Sequence, residues 1–261
     1  MVKDMAGAQP QELCLLREFL KVVKERQIKN RKIQKGPSAI LFHGPAGTGK
    51  TLGVKNMSQE ADVHLDFQDI KALISEHGGN LSGELKKIYA TAVEKSKNEK
   101  RPIIILFDDT STKGDMGNML LLLNTILDSN FDNPSVITIF TSNSDLSSFD
   151  NSLKNRCLLV SLQMPDTDKR IEIIKFYNQR FDGTVCNEAA EKLAKKYSDF
   201  SCRDIALVFE KAQLFTTNNG GVLLMEHVEK AFADMQAIKD AEKRSVWTKM
   251  WLVLTWPFRW N

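Results

Sequence analysis

Short apolar runs alternate with longer amphipathic stretches through much of the chain. The apolar runs predict strands at 39–43, 63–67, 103–107, 136–141 and 158–162. The stretches between them have helical spacing and predict helices over 50–59, 68–76, 81–97 and 116–129. Because strands and helices alternate in this way, the order predicts a parallel five-stranded sheet flanked by helices, which is the α/β fold class.

The pattern changes on both sides of this alternation. Residues 11–28 carry apolar positions at helical spacing, and after Pro165 the chain predicts only helices, over 167–181, 187–198, 202–217 and 224–242. Gly36-Pro37 marks the entry into the strand-rich part. We therefore predict an N-terminal helix with a basic linker (1–36), an α/β domain (37–164), a small all-helical domain (165–242) and a C-terminal tail (243–261).

The tail is the most apolar segment, and all four tryptophans lie within the last fifteen residues. Trp247, Trp251 and Leu254 fall on one helical stripe. Tryptophan beside Lys249 and Arg259 suits a membrane surface or a groove on a partner protein. A helix packed on its own domain is an equally good interpretation, and the apolar stretch is too short to span a bilayer.

Composition narrows the class of protein. The 261 residues are 42% hydrophobic and 26% charged, which is ordinary for a globular protein. A net charge of +3 is too small to indicate nucleic-acid binding by itself. The four cysteines show no metal-binding spacing, and no secretory leader precedes them. We therefore expect reduced thiols and a cytoplasmic location, with peripheral membrane contact through the tail as an alternative.

The sequence GPAGTGKT follows the first predicted strand directly, from Gly44 to Thr51. A Gly-x-x-x-x-Gly-Lys-Thr loop between a strand and a helix is typical of proteins that bind nucleotide phosphates, because its backbone N–H groups point inward. Lys50 brings positive charge to the phosphates, and Thr51 offers a hydroxyl to Mg²⁺. The predicted phosphate-binding set is Gly44, Pro45, Ala46, Gly47, Thr48, Gly49, Lys50, Thr51 and Leu52.

Polar side chains follow two further predicted strands. Asp108 and Asp109 end the strand at 103–107, where one carboxylate can hold Mg²⁺ and the next can orient a water for attack on the γ-phosphate. We assign Asp108, with Thr51, to the metal and Asp109 to the water. Asn143 follows the strand at 136–141, where it can sense the γ-phosphate, although an asparagine that opens a turn is an equally good interpretation.

Together, GPAGTGKT, ILFDD, IFTSN and SFDNSLKNRC occur in the order and spacing of the AAA+ ATPases, and FSCRDI at 200–205 is similar to the lid motif of their AAA branch. The resemblance covers about residues 37–235. It implies a P-loop NTPase fold, ATP bound between an α/β domain and a helical lid, and rings that are often hexameric. The activity it implies is hydrolysis that remodels a protein or macromolecular assembly.

The same resemblance implies roles for two arginines. Arg156 falls where the family places the arginine finger that reaches the γ-phosphate of a neighbouring subunit, and a guanidinium suits the charge that develops there. Arg203 matches a lid arginine that touches the phosphates within one subunit. A surface arginine at a helix end is the alternative interpretation of each.

Three positions depart from the family pattern. Asp109 stands where glutamate is usual, and because its side chain is one methylene shorter we expect slow hydrolysis. Residues 75–79 lack the aromatic side chain of protein-threading relatives, and Cys202 replaces a lid glycine. Two alternatives follow: a nucleotide-gated scaffold with weak hydrolysis, and a DNA-directed clamp-loader or replication-type protein. The basic linker and the Arg156-Cys157 pair favour the second alternative weakly.

Overall fold

The structure is a computed structural model that describes residues 11–29, 39–77, 80–108, 135–149, 151–218 and 222–255. The chain divides into two compact units, Met1–Met164 and Pro165–Asn261. The first unit contains the sheet and the second is helical, and each is described by itself.

The first unit is a parallel five-stranded sheet flanked by helices, as the sequence predicts. The strands pair in the order β2-β3-β4-β1-β5. The predicted helix at 116–129 lies outside the described residues. The elements are α1 (Gln11–Ile28), β1 (Ala39–His43), α2 (Lys50–Ala61), β2 (His64–Asp69), α3 (Ile70–His77), α4 (Leu81–Glu99), β3 (Ile103–Asp108), β4 (Val136–Ser142), a 3-10 turn (Leu146–Ser148), α5 (Asn151–Arg156) and β5 (Cys157–Ser161).

The three central strands, β1, β3 and β4, are almost wholly buried because helices cover both faces of the sheet. Alternate side chains enter different cores. Leu41 and Ile105 pack with α3 and α4 on one face, while Ile40 and Ile104 pack with α1 and α2 on the other. Because all strand pairs are parallel, neighbouring strands end at one common edge of the sheet. This edge carries the candidate site.

Two strand boundaries differ from the prediction for local reasons. β2 begins at His64, one residue late, because Asp62 is left-handed (φ 51°) and the N–H of Val63 donates to Ser58 O at 3.0 Å, which closes α2. At the far end of β2, the Asp69 carboxylate accepts the N–H groups of Lys71 and Ala72 at 2.9 and 3.1 Å. Asp69 thus caps α3, which starts at Ile70 rather than at residue 68.

One further strand boundary differs from the prediction. β5 starts at Cys157, one residue earlier than predicted, because Cys157 pairs with Ala39 at the start of β1. α1 packs on the same core as α2, with Leu16 and Leu20 buried, and its Arg17 forms an ion pair with Glu60 at 3.0 Å. The predicted basic linker that follows α1 lies almost wholly outside the described residues.

The second unit is built from helices, as predicted. They are α6 (Thr167–Arg180), α7 (Asn187–Lys196), α8 (Cys202–Leu214) with a 3-10 turn (Phe215–Asn218), and α9 (Met225–Thr255). The rings of Tyr197, Phe200 and Phe232 stack in its core, with centroids 4.8 to 5.4 Å apart.

α9 is longer than predicted: it passes residue 242 and continues to Thr255. Residues 243–255 contain neither glycine nor proline, so nothing in their backbone chemistry stops a helix before Pro257. The backbones of Trp247 and Trp251 lie in this helix, whereas Trp256 and Trp260 lie outside the described residues. Among the helices that the structure describes, none combines the length and apolar character that a membrane crossing requires.

Candidate functional site

The loop after β1 has a backbone that only glycine allows at its first position. Gly44, Gly47 and Gly49 all have positive φ, at 136°, 78° and 91°. A Cβ on Gly44 would lie 1.9 Å from the carbonyl oxygen of Leu162, so no other residue fits there. The loop ends where α2 begins at Lys50, which directs the first N–H groups of the helix toward the loop.

Lys50 places a buried positive charge inside this loop. Its side chain is only 7% exposed, and Nζ donates to the carbonyl oxygens of Gly44 at 2.8 Å and Pro45 at 2.7 Å. The Thr48 hydroxyl donates to Pro45 O at 3.0 Å. Loop carbonyls therefore hold the ammonium group next to the N-terminus of α2, where anions bind well.

The predicted metal residues lie side by side. The Thr51 hydroxyl, in the first turn of α2, donates to Oδ1 of Asp108 at 2.5 Å. Asp108 ends β3 and is half-buried. The fold thus brings together two residues that are 57 positions apart in the chain.

A third residue joins them that the sequence does not predict. Thr141, near the end of β4, donates its hydroxyl to the same Oδ1 of Asp108 at 2.5 Å. β4 is the neighbour of β3, and Phe107 pairs with Phe140, so the next residues along each strand reach the same edge. Because threonine is common in buried strands, its presence alone does not single out Thr141. The strand order, which places β4 beside β3, is the signal that would have revealed this contact.

The remaining predicted residues lie at the ends of other elements or outside the described part of the chain. Asn143 follows β4 directly and is exposed, while Asp109 lies outside the described residues. The backbone of Arg156 ends α5, and its side chain lies outside the described part. Arg203 is exposed in the first turn of α8, in the other unit.

Three residues of the predicted phosphate-binding set are exposed, two in the loop and one in the first turn of α2. Pro45 and Ala46 are exposed on the loop, and Leu52 is 43% exposed although it is apolar. An exposed leucine beside a phosphate-type loop offers apolar contact to a bound ligand.

Two titratable groups near the predicted site residues have shifted pKa values. Burial lowers the pKa of His43, the last residue of β1, and the charge of Lys50 lowers it further, against an opposing effect of Asp145. The imidazole is therefore held neutral beside the lysine. Burial raises the pKa of the Cys202 thiol in α8, which keeps it protonated where the family has a glycine.

The donor set fits Mg²⁺ brought with a nucleotide. Within the described ranges, no cluster of three or more His, Cys, Asp or Glu side chains could hold a metal alone. Magnesium typically takes one or two protein oxygens and completes its shell with phosphates and water. Thr51 and Asp108 supply just such an incomplete set.

A family model agrees with this geometry. Residues 40–162 match the model described as "ATPase family associated with various cellular activities (AAA)". The matched span includes the loop, Asp108, Asn143 and Arg156. Residues 40–162 belong to the AAA+ ATPase superfamily. Membership supports nucleotide binding, and specifically ATP binding.

Three relatives indicate the branch of the superfamily. The chain is 28% identical over 189 residues to a protein of Methanocaldococcus jannaschii named as a 26S proteasome regulatory subunit homologue, covering 68% of this chain and 49% of the relative. It is 22% identical over 292 residues to cell division control protein 48 homolog B of Arabidopsis thaliana, covering 97% and 47%. It is also 22% identical over 267 residues to 26S proteasome regulatory subunit 8 homolog B of that plant, covering 95% and 62%.

These matches also set the extent of the likeness. The chain spans about half the length of the first curated relatives it matches. Residues 40–162, which match the family model, include the loop and Asp108, so the AAA+ assignment concerns this portion of the chain.

Proposed function

We propose that this chain binds ATP with Mg²⁺, hydrolyses it, and uses the energy to remodel a protein or macromolecular assembly as a subunit of a ring. The observation that supports the proposal most is the contact between Thr51 and Asp108 beside the buried Lys50. Each of these residues has the chemistry needed for one part of a metal-nucleotide complex.

Different residues would bind different parts of the ligand. The loop from Gly44 to Thr51 and the charge of Lys50 would hold the phosphates, and Leu52 would contact the nucleoside. Thr51 and Asp108 would hold Mg²⁺, which neutralises charge on the phosphate oxygens when bound.

The hydrolytic step is assigned to residues around this centre. Asp109 would orient the attacking water, with Asn143 assisting at the end of the neighbouring strand. Arg156 would stabilise charge on the γ-phosphate of a neighbouring subunit, and Arg203 would contact phosphate within its own subunit.

The ring and its substrate are proposed from the relatives. Their names refer to the regulatory part of the 26S proteasome and to a cell division control protein. We propose a homo-oligomeric ring, probed first as a hexamer, that acts on a protein substrate in the cytoplasm. The tryptophan-rich tail would contact that substrate, a membrane surface or the helical unit.

Steady-state hydrolysis of ATP tests the enzymatic part. We expect turnover that depends on Mg²⁺ and a fall of about a hundredfold or more in Lys50→Ala, because the preorganised charge at the phosphates is removed. Lys55→Ala is the matched control: Lys55 lies on the same helix but is exposed, over the ring of Phe67, and should keep wild-type turnover. Equal losses in both variants would contradict the proposal.

One alternative, a nucleotide-gated scaffold, is supported by the short acid at Asp109 and by the lack of an aromatic residue at 75–79. Asp109→Glu separates the two functions. If the short side chain limits hydrolysis, restoring the usual length raises turnover. A protein that binds ATP and assembles, yet shows no turnover in either form, is a scaffold.

DNA-directed action remains the weaker alternative, supported by the basic stretch that includes Lys29. DNA binding that weakens steeply with salt would favour it.

A capture experiment with Asp109→Asn in ATP, with and without residues 247–261, would identify a protein substrate and show whether the tail selects it.

A further inference from the structure

Strand β4 carries two buried threonines whose hydroxyls bond to different elements. Thr138 and Thr141 are each 1% exposed. Thr138 Oγ1 lies 2.6 Å from the hydroxyl of Tyr89 in α4, whereas Thr141 Oγ1 lies 2.5 Å from Oδ1 of Asp108. Burying a hydroxyl is costly unless it is hydrogen-bonded, so the partner of each hydroxyl indicates what that threonine does. Thr138 joins a helix to the sheet, and Thr141 contacts the carboxylate at the candidate site.

We propose that Thr141 is a positioning residue that fixes the Asp108 carboxylate for the Mg²⁺ bound with nucleotide. This inference rests on the proposed function, which gives Asp108 to the metal. Partners that hold a metal-binding side chain in one orientation contribute strongly to metal affinity even though they never touch the metal.

The hydrogen bonds to Asp108 are unevenly divided. Thr51 and Thr141 both donate to Oδ1. Within the ranges that the structure describes, no hydrogen bond falls on Oδ2. Two donors on one oxygen restrict rotation of the carboxylate, and they leave the acceptor capacity of the second oxygen for a metal ion or its water.

The two donors, Thr51 and Thr141, have different roles in the proposed site. Thr51 is itself a candidate metal ligand, so its oxygen is shared between the metal and the carboxylate. Thr141 belongs to a central strand whose preceding residue, Phe140, stacks on Phe107 with centroids 5.6 Å apart. The donor from β4 is therefore held by the rigid part of the sheet, and it lies two residues before Asn143.

The test measures how much Mg²⁺ the site needs, without turnover. Thermal unfolding is followed in a fixed excess of the non-hydrolysable analogue AMP-PNP while Mg²⁺ is titrated, and the midpoint of the metal-dependent rise in Tm is recorded. For Thr141→Val, which keeps the shape and loses the donor, we expect a midpoint about tenfold higher than in the wild type. Thr141→Ser keeps the hydroxyl and should restore a midpoint near that of the wild type.

Thr138→Val is the matched control, because it removes an equally buried hydroxyl from the same strand. It should lower Tm without nucleotide, since the bond to Tyr89 is lost, and leave the Mg²⁺ midpoint unchanged. A purely structural role for Thr141 would give this same result. If Thr141→Val does not fold, Thr141→Ala removes the donor without placing a methyl group beside the carboxylate, and the expectation is the same.

The outcomes separate the two proposals. A wild-type midpoint in Thr141→Val or Thr141→Ala overturns the positioning role and leaves the proposed ATP site intact. A wild-type protein that AMP-PNP stabilises to the same extent at every Mg²⁺ concentration, or not at all, overturns the metal-nucleotide site and the positioning role with it.

Discussion

Among the residues that the structure describes, each unit buries one lysine or arginine, and the two units hold it in different ways. Lys50 in the sheet unit is 7% exposed and Arg170 in the helical unit is 5% exposed. Nζ of Lys50 bonds to two carbonyl oxygens of its own loop. The Arg170 guanidinium bonds to Pro165 O at 2.5 Å, Ala194 O at 3.0 Å and the Thr167 hydroxyl at 3.1 Å.

Under the proposed function, this difference separates a ligand-binding charge from a structural one. Ala194 O is one of the last carbonyls of α7, so Arg170 caps that helix while it also fixes the start of α6. Its acceptors lie at the end of α7 and at the start of α6, so moving the guanidinium would break hydrogen bonds to both helices. In the proposed ATP site, Lys50 would exchange loop carbonyls for phosphate oxygens. Burial alone therefore does not distinguish a ligand-binding cation from a structural one.

The largest expected effect comes from changing the loop that holds Lys50. Gly44→Ala places a Cβ 1.9 Å from Leu162 O at a φ of 136°, so the loop must move. We expect a loss of about 3 kcal/mol in the free energy of unfolding and no detectable AMP-PNP binding. Chemical denaturation and nucleotide-dependent Tm shifts measure the two effects.

Gly83→Ala in α4 is the control for glycine replacement. Its Cβ would approach only the flexible side chain of Asn80, at 2.6 Å, and alanine favours the helix. We expect a change within about 1 kcal/mol and normal nucleotide binding. Normal AMP-PNP binding by Gly44→Ala would show that the loop geometry is not needed.

The next effect should be confined to the helical unit. Arg170→Met removes three hydrogen bonds to a charged group, and we expect a loss of about 2–3 kcal/mol in stability. Hydrogen exchange should show lost protection in α6 and α7, with no change in the strands. Lys192→Met, an exposed substitution on α7, should change stability by less than about 0.5 kcal/mol. A variant of Arg170 that folds normally but no longer binds AMP-PNP would break the distinction between the two cations.

The smallest effect is a dependence on pH in the helical unit. Burial opposes ionisation of Asp204, but hydrogen bonds from Lys239 at 2.7 Å and the Ser201 N–H at 2.8 Å outweigh it and lower the pKa of the carboxyl. A carboxyl with a lowered pKa in the folded state stabilises above its unfolded pKa, about 3.9, and loses that contribution as pH falls through the folded pKa.

Thermal unfolding of the wild type and Lys239→Met across pH 2–7 measures this contribution. We expect the wild type to have the higher Tm at neutral pH and the difference to shrink below about pH 4. A difference that stays constant across the range would show that packing of the lysine chain over Phe200, and not its charge, stabilises the unit.

Sequence patterns predicted the strands, most helices and the loop, because continuous apolar runs and a Gly-rich signature are local. Thr51 and Asp108 were both assigned to the metal from the chemistry of each residue, and the structure places them in contact. The contacts of Thr141 and Arg170 were missed for the same reason. Their partners depend on strand order and helix packing, which cannot be derived from the pattern of a single amino-acid sequence. The end of α9 was missed because a change in composition at residue 243 was interpreted as a change in structure, although no helix-breaking residue lies there.

The continuity of α9 has a mechanical consequence. From Lys239, which Asp204 holds, to Thr255 the helix extends sixteen residues, or about 24 Å at 1.5 Å per residue. A lever of that length amplifies small rotations, so a tilt of the helical unit by about 10° would displace Thr255 by about 4 Å. A partner bound at the end of α9 would therefore be displaced farther than the part of the helix near Lys239.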